Sequence, residues 1–422
     1  MAERIEQYLD EVGAHVRWKR VRPALTQELR THLEEQAEAY RAEGLPAAEA
    51  EAEAVRQMGD AEQIGLALDA VHRPKRQTAI LSLAGICILL GAIFRILSQD
   101  SPKLFTLAAL VLTAGLLLGG YYFDYRRLAR YAWQIYGVVL ALGAVCLSRS
   151  FHLANGIGIE LGISMGIENE YVVLLFPLAY ALAVYALRGK RGGFVLALYA
   201  GVPFIAFLHL SDMAPIYQVS FFSRLILRVG LTAVLLIAIR AGFFRVKAGW
   251  ACAAVLALLA LGVYLDVRSG ASRLTSYFSP EAMQLWRSLA QKQPFADQLM
   301  NRTLRQLQQA GLSSAVPAWV WTGLLVGPMA AFLALLLVRA AKLTHPLGKL
   351  LCLPAALLLV IRFVPGVLYQ LSLFPLAAPL PFIAGNLYSV IDALLLGLSV
   401  SALRQSTCPE PPEIRSVQPA VV

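Results

Sequence analysis

Charged residues are scarce in this chain of 422 residues: they make up 15% of the sequence, against roughly 25% in an ordinary soluble domain. Hydrophobic residues make up 58%. The shortage of charge excludes a soluble protein of this length. Long apolar runs separated by short basic loops instead predict an all-α, polytopic membrane protein preceded by a small soluble helical bundle.

Cysteine is also rare, and no two of the five cysteines have the spacing of a metal site or a redox pair. Four lie singly in apolar segments and the fifth lies in the C-terminal tail: Cys87, Cys146, Cys252, Cys352 and Cys408. We therefore expect free thiols that pack as small hydrophobic groups. The sequence predicts no metal site and no cofactor.

The few charges that are present divide the chain into two parts. Residues 1–76 contain 11 basic and 15 acidic residues, a net charge of −4, whereas the other 346 residues carry +14. This shift predicts a soluble, cytoplasmic domain (residues 1–76), a membrane domain (residues 77–404) and a disordered cytoplasmic tail (residues 405–422). Because the first 76 residues are charged throughout, we expect no cleavable signal peptide.

Helix signals recur at short intervals in the soluble domain. Gly44 followed by Pro46 is typical of a helix end and a restart with proline in the first turn. Gly59 suits the position after a helix, and Asp60 with Gln63 has capping-box spacing. These signals predict four short helices. The pattern IEQYLDEV…ELRTHLEEQ…GLPAAEAEAEAVRQMGD resembles the permease-prefix or HAAS-type domain of Gram-positive bacterial membrane proteins, which implies a signalling or assembly module rather than a catalyst.

Ten segments are long enough to cross a bilayer whose hydrocarbon core is about 30 Å thick. They are residues 77–97, 104–123, 129–148, 170–187, 193–211, 222–241, 248–266, 317–339, 347–371 and 381–403. Basic residues cluster in every second loop, whereas the alternate short loops, such as 212–221 and 372–380, carry almost none. The positive-inside rule then predicts that both termini are cytoplasmic.

One outer segment, residues 267–316, is too long to be a simple turn. It contains amphipathic stretches and six basic residues against only two acids, Glu281 and Asp297. Two interpretations stay open. The segment could lie on the membrane interface and attract an anionic lipid headgroup or pyrophosphate, or it could be a helical cap that only covers the bundle.

Two charges lie well inside the last two predicted spans, Arg362 in the ninth and Asp392 in the tenth. An isolated charge at that depth costs about 2.5–3.5 kcal/mol on insertion scales, so each needs a partner. Because the two spans run antiparallel and place the residues at similar depths, we expect an interhelical ion pair with a mainly structural role. Glu170, Asp212 and Asp266, by contrast, lie at span ends, where water reaches them.

Several short motifs occur in an order that resembles the FtsW/RodA/SpoVE family, the SEDS class of bacterial cell-wall proteins. They are FDYRRLARYAWQIYGVVLAL from Phe123, Glu170 in IENE, Asp212 in LSDMAP, Arg273 to Glu281 in RLTSYFSPE, and Pro379-Leu380-Pro381-Phe382-Ile383 before the last span. The resemblance runs from about residue 80 to 404. It assigns six residues to a ligand groove or to its support: Glu170, Asp212, Arg273, Pro379, Pro381 and Phe382.

The resemblance implies an activity as well, the polymerisation of a lipid-linked disaccharide precursor into glycan strands. This chain lacks the family's essential outer-loop aspartate: counting from Pro317 places Thr322 there, and no acid lies between Asp297 and Asp392. Glycosyl transfer needs a base or a stabilising carboxylate, and threonine supplies neither at neutral pH. We therefore expect a SEDS-like fold whose usual catalytic site is degraded.

Three functions stay open at this point, all of them in the bacterial plasma membrane and none involving nucleic acid. The first is a cell-envelope protein of peptidoglycan synthesis, cell division or cell shape, which binds an undecaprenyl-linked precursor, a transpeptidase or a division protein without turnover. The second is an active polymerase that uses Glu281 or Asp297. The third is a permease, although the sequence has no internal repeat of the kind common in transporters.

Overall fold

The structure is a computed structural model that describes residues 3–19, 21–72, 77–97, 103–154, 169–213, 221–269, 284, 318–343, 345–370 and 387–406. These residues form helices and turns, with no strand among them, which confirms the all-α fold class. The chain divides into two compact units, residues 1–76 with 404–422, and residues 77–403. Glu281 and Asp297, with most of the outer segment, lie outside the described residues.

The soluble domain contains four helices: α1 (Glu3–His15), α2 (Arg22–Ala42), α3 (Ala47–Met58) and α4 (Ala61–His72). α1 packs against α4, and α2 packs against α3. Apolar residues at helical spacing, such as Leu9 and Leu33, are buried between them. This burial supplies the free energy that short isolated helices lack.

The ends of these helices carry the expected local geometry. Gly44 and Gly59 have positive φ angles of 99° and 96°, which a residue with a side chain rarely adopts. Asp60 Oδ2 accepts a hydrogen bond from the backbone N–H of Gln63 at 3.0 Å, which caps the start of α4. Pro46 is the N-cap residue of α3. It therefore lies one position before the first turn, whereas the sequence predicted it inside that turn.

The membrane domain contains the other helices whose bounds the structure describes. They are α5 (Thr78–Leu97), α6 (Lys103–Tyr122), α7 (Arg127–Arg130), α8 (Ala132–Ala154), α9 (Asn169–Val173), α10 (Phe176–Ala186), α11 (Gly193–Met213), α12 (Phe221–Arg240), α13 (Ala248–Ser269), α14 (Ala318–Ala341), α15 (Pro346–Gln370) and α16 (Leu387–Arg404).

Each of the ten predicted spans coincides with helical structure among the described residues, but the bounds differ in places. The fourth span is broken into α9 and α10, because Pro177 lacks the N–H that would bond to the carbonyl of Val173. α13 continues to Ser269, so its last turn takes in the first residues of the predicted outer segment. By length and composition alone, three described helices, α11, α13 and α15, are suited to cross a membrane, and five further apolar helices are shorter. The number of crossings stays a prediction.

Two tyrosines position α11 against its neighbours. Tyr136 of α8 donates a hydrogen bond to the Ala200 carbonyl at 2.7 Å, and Tyr180 of α10 donates to the Ala197 carbonyl at 2.8 Å. Both acceptors lie in the two turns before Pro203, which interrupts the hydrogen-bond pattern inside the helix. Near Pro203, aromatic rings of α8, α10 and α11 pack against one another: Tyr136, Phe176, Tyr180, Phe204 and Phe207. These contacts hold α11 against both α8 and α10.

Candidate functional site

The residues that the family resemblance assigned to a site either lie outside the described residues or are placed only by the helix that contains them. Arg273, Pro379, Pro381 and Phe382 lie outside the described residues. Three others are placed only by their helices: Glu170 in α9, Asp212 at the end of α11 and Thr322 near the start of α14. The catalytic and groove assignments of these residues therefore stay predictions.

The two intramembrane charges that were expected to pair are in contact. Arg362 of α15 donates a hydrogen bond from Nη1 to Oδ1 of Asp392 on α16. Their side chains are 2% and 0% exposed, so the pair is removed from water on every side. Removing one partner of such a pair leaves an uncompensated buried charge, whereas the pair itself is tolerated. The arrangement connects α15 to α16.

A second buried ion pair corrects the expectation for Asp266. The sequence placed this residue at a water-accessible span end, but its side chain is 3% exposed. Asp266 Oδ2 accepts from Arg228 Nε at 2.5 Å, and Oδ1 accepts from Arg228 Nη2 at 2.7 Å. α13 extends one turn beyond the predicted end of the span, and α12 packs along it, so the carboxylate is enclosed between helices.

Gly262 makes this second pair possible. A Cβ atom at this position would lie 2.4 Å from Arg228 Nη1 and 3.0 Å from its Cζ. The guanidinium group therefore crosses the face of α13 over a residue without a side chain and reaches Asp266 one turn further on. The sequence held one related signal that was missed: Arg224 and Arg228 are four residues apart inside a predicted span and thus share one helix face, although this spacing does not identify Asp266 as the partner.

Charged side chains of both signs are buried in the membrane domain. Among the described residues of this domain, four arginines and two aspartates are buried: Arg126, Arg224, Arg228, Arg362, Asp266 and Asp392. Arg126 lies in the turn after α6, whereas Arg224 and Arg228 lie in the first two turns of α12.

An apolar groove lies next to the Arg228–Asp266 pair. It has a volume of about 710 Å³ and lies between α11 and α13, with α12 and Tyr180 of α10 at its base. Volumes of about 300–1,000 Å³ are usual for ligand sites. Most of its lining is aliphatic, with Arg228 and His209 among the few polar side chains. Wall residues such as Val202 and Leu261 are 54% and 52% exposed, so among the described residues the groove opens on the outer surface of the bundle.

The Asp124-Tyr125-Arg126 turn has a structural role. Tyr125 is fully buried, its hydroxyl group lies 3.2 Å from Nδ1 of His345, and burial raises the pKa of Tyr125 to about 12. Ser401 of α16 donates a hydrogen bond to the Phe123 carbonyl. These contacts hold the turn against the start of α15 and against α16. No cluster of three metal-ligating side chains occurs among the residues that the structure describes.

The fold and its buried charges define a polytopic α-helical membrane protein. No protein-family model matches this sequence, and no curated protein matches it. Among solved structures, the chain is similar to a chain of a peptidoglycan synthase complex, described as showing the structural coordination of polymerization and crosslinking. That similarity has a TM-score of 0.51 at 19% identity and covers 78% of this chain and 98% of the other.

Two structures of the rod shape determining protein RodA from Thermus thermophilus are also similar to the chain. The unmodified protein has a TM-score of 0.49 at 18% identity, over 78% of this chain and 95% of RodA. A point mutant of it has the same TM-score and identity, with 96% of that chain covered. The similarity to the chain of the synthase complex shows that this chain shares its fold over 78% of its length.

Proposed function

We propose that this chain acts in bacterial peptidoglycan synthesis as a SEDS-like membrane protein that binds an undecaprenyl-linked precursor without polymerising it. The observation that carries the proposal is the fold, shared over 78% of the chain with a chain of a peptidoglycan synthase complex. The motifs at Asp124-Tyr125-Arg126 and Pro379-Leu380-Pro381 support it from the sequence. The soluble domain then serves as a cytoplasmic assembly module.

The loss of turnover rests on the missing acid. Thr322 stands where the resemblance expects an aspartate, and the 94 residues between Asp297 and Asp392 contain no carboxylate. A threonine hydroxyl cannot take the proton of an acceptor hydroxyl at neutral pH, and it cannot stabilise developing positive charge. Asp392 is an unsuitable substitute because it is fully buried and paired with Arg362.

A transpeptidase is the partner that this proposal favours. The similar chain belongs to a complex described as coordinating polymerization with crosslinking, which joins the two activities in one assembly. A chain that binds the precursor but does not polymerise it would hold substrate near such a partner. Orientation with both termini in the cytoplasm would leave the long segment after α13 on the outer side, where the wall is built.

The permease alternative has one observation in its favour, the broken helix formed by α9 and α10. Transporters use such breaks near the centre of the membrane to expose backbone groups to a substrate. Here the break follows a helix of only five residues, about 7 Å from its start at 1.5 Å per residue. The break is therefore too close to the end of the span for a binding site at the membrane centre.

The proposal is tested with the purified full chain in lipid nanodiscs and a labelled undecaprenyl-linked disaccharide precursor. We expect saturable binding and no glycan polymer. Polymer that disappears in Glu281→Ala or Asp297→Ala would establish the active polymerase instead. In cells, we expect that loss of the protein changes cell shape or the level of wall precursors; an unchanged wall and unchanged precursor levels would contradict the proposal.

A further inference from the structure

The groove beside Arg228 extends along nearly the whole of α11. Its lining on that helix runs from Val195 to His209. At 1.5 Å per residue these positions are about 21 Å apart. One leaflet is about 15 Å deep, half of the roughly 30 Å hydrocarbon core. A groove of this length therefore suits a hydrocarbon chain that continues past the middle of the bilayer, which the acyl chain of an ordinary phospholipid does not do.

The two ends of the groove differ in chemistry. Val195, Leu235 and Val255 line one end and are apolar. Arg228 and His209 line the other end, near the C-terminus of α11 and the N-terminus of α12. This distribution of polar and apolar side chains matches a single lipid, whose polar head would lie at the Arg228 end and whose chain would lie along the apolar remainder of the groove.

Asp266 and Gly262 fix the orientation of the Arg228 side chain. The carboxylate accepts from Nε and Nη2, so one edge of the planar guanidinium group is held in place. Nη1 lies over Gly262, in the wall of the groove. A guanidinium group carries five N–H donors, and Asp266 engages only one edge of it. The remaining donors are thus presented at a fixed position beside the groove, as phosphate recognition requires.

We propose that this groove binds the chain of a polyprenyl phosphate, that Arg228 contacts the phosphate, and that Asp266 is the positioning residue for Arg228. The choice of a polyprenyl chain over other long lipids rests on the proposed function. The lining residues of the groove do not belong to residues 267–316, the segment for which the sequence left anion binding open as one of two interpretations. It places lipid recognition on helices α11, α12 and α13 of the bundle.

The chain contact is tested by filling the groove in the purified full-length protein. Thr232→Trp places a large ring on the base of the groove, and Val202→Trp places one on the wall of α11. Val138→Trp is the matched control, because Val138 is 67% exposed on α8 and does not line the groove. We expect undecaprenyl phosphate, measured by native mass spectrometry from nanodiscs, to bind at least tenfold more weakly to both groove variants and unchanged to the control. Unchanged binding in a folded groove variant would overturn the proposal.

The phosphate contact needs a variant that leaves no unpaired buried charge. Arg228→Gln combined with Asp266→Asn removes both charges; Asn keeps the shape of the Asp266 side chain, and Gln replaces the guanidinium group with a shorter, neutral amide. We expect about tenfold weaker binding of undecaprenyl phosphate, because hydrogen bonds to charged groups are among the stronger ones. Binding of undecaprenol, which lacks the phosphate, should be unchanged. Equal loss for both lipids would overturn the role of Arg228.

Competition identifies the lipid class and separates this inference from the proposed function. Phosphatidylglycerol in excess should leave bound undecaprenyl phosphate in place; equal displacement would mean an ordinary phospholipid site and overturn the assignment. Binding that meets every expectation, in cells whose wall is unaffected by loss of the protein, would contradict only the proposed function. Altered walls with no lipid in the groove would contradict only this inference.

Discussion

The soluble domain and the membrane domain place their charges in opposite ways. In the soluble domain, Leu9 and Leu33 are buried and most of the glutamates lie on the surface. In the membrane domain, Val138 and Trp250 are 67% and 79% exposed, whereas Arg362 and Asp392 are buried. Helices of similar geometry build both. The difference teaches that the surrounding solvent, water or hydrocarbon, decides which face of a helix must be turned inward.

The two domains nevertheless follow one rule for the charges they bury. In the soluble domain, Glu51 is paired with Arg41 at 3.0 Å, and Asp69 accepts a hydrogen bond from the Arg17 backbone N–H at 2.9 Å. In the membrane domain, Arg228 is paired with Asp266. A buried charge persists in either solvent only with a partner, because desolvation without one costs several kcal/mol.

The largest expected effect comes from breaking the buried pair of the membrane domain. Asp392→Leu should destabilise the protein by about 3–5 kcal/mol, because it leaves the Arg362 guanidinium group buried without its carboxylate. The measurement is the thermal stability of the detergent-purified full chain. Arg362→Leu combined with Asp392→Leu should recover most of the loss. A double variant as unstable as the single one would show that more than charge compensation is involved.

The next largest effect is expected from a comparison of two valines that are similarly exposed, one to water and the other to hydrocarbon. Val71 of α4 is 62% exposed and Val138 of α8 is 67% exposed. Val138→Asp should impair membrane insertion by about 2.5–3.5 kcal/mol, the cost of an acid near the centre of a span. Val71→Asp should change stability by less than about 0.5 kcal/mol. The yield of membrane-inserted protein measures both effects. Equal yields would contradict the conclusion that exposed side chains face hydrocarbon in the membrane domain and water in the soluble domain.

A smaller effect concerns how closely membrane helices approach. A Cβ atom on Gly120 of α6 would lie 2.7 Å from the Gly397 Cα atom of α16, so the two backbones touch. Small residues permit such contacts in membranes, where packing replaces the hydrophobic effect between helices. Gly120→Ala should cost about 1–3 kcal/mol of thermal stability. Gly119→Ala is the control, since its added Cβ would meet nothing within 4 Å; a similar loss there would remove the explanation.

The smallest effect is expected for an ion pair on the surface of the soluble domain. Glu6 and Arg30 join α1 to α2, with side chains that are 42% and 34% exposed. Glu6→Gln should cost no more than about 1 kcal/mol, because water and salt screen the attraction. Hydrogen exchange across α1 and α2 in the full chain measures this, at low and high salt. An effect that does not weaken with salt would mean that the pair behaves like those buried in the membrane domain.

Much of the fold follows from patterns that are local in the sequence. Apolar runs predict the membrane helices, and Gly44, Gly59 and Asp60 mark helix ends in the soluble domain. The interruption between α9 and α10 was missed although Pro177 is visible in the sequence, because membrane helices often tolerate proline. The Arg362–Asp392 contact was accessible too. Asp392 is the only charged residue of the tenth predicted span, and Arg362 is the only one in the interior of the ninth, where Lys349 lies near the start.

The groove and the second ion pair could not be predicted in the same way. Asp266 lies near a helix end, where a carboxylate is usually hydrated, and nothing in its neighbourhood identifies Arg228, 38 residues earlier, as its partner. The contact depends on the crossing of α12 and α13 over Gly262. The groove likewise depends on how far α11 and α13 lie apart along α12.

The amino-acid sequence alone determined that this is a helical membrane protein with an acidic helical domain at its N-terminal end, because solvent preference and helix signals act over a few neighbouring residues. Only the tertiary structure decided which buried charges meet and where the bundle leaves room for a ligand. Those features depend on packing between distant segments, and the free energy of a buried charge is set by what lies within a few ångströms in space.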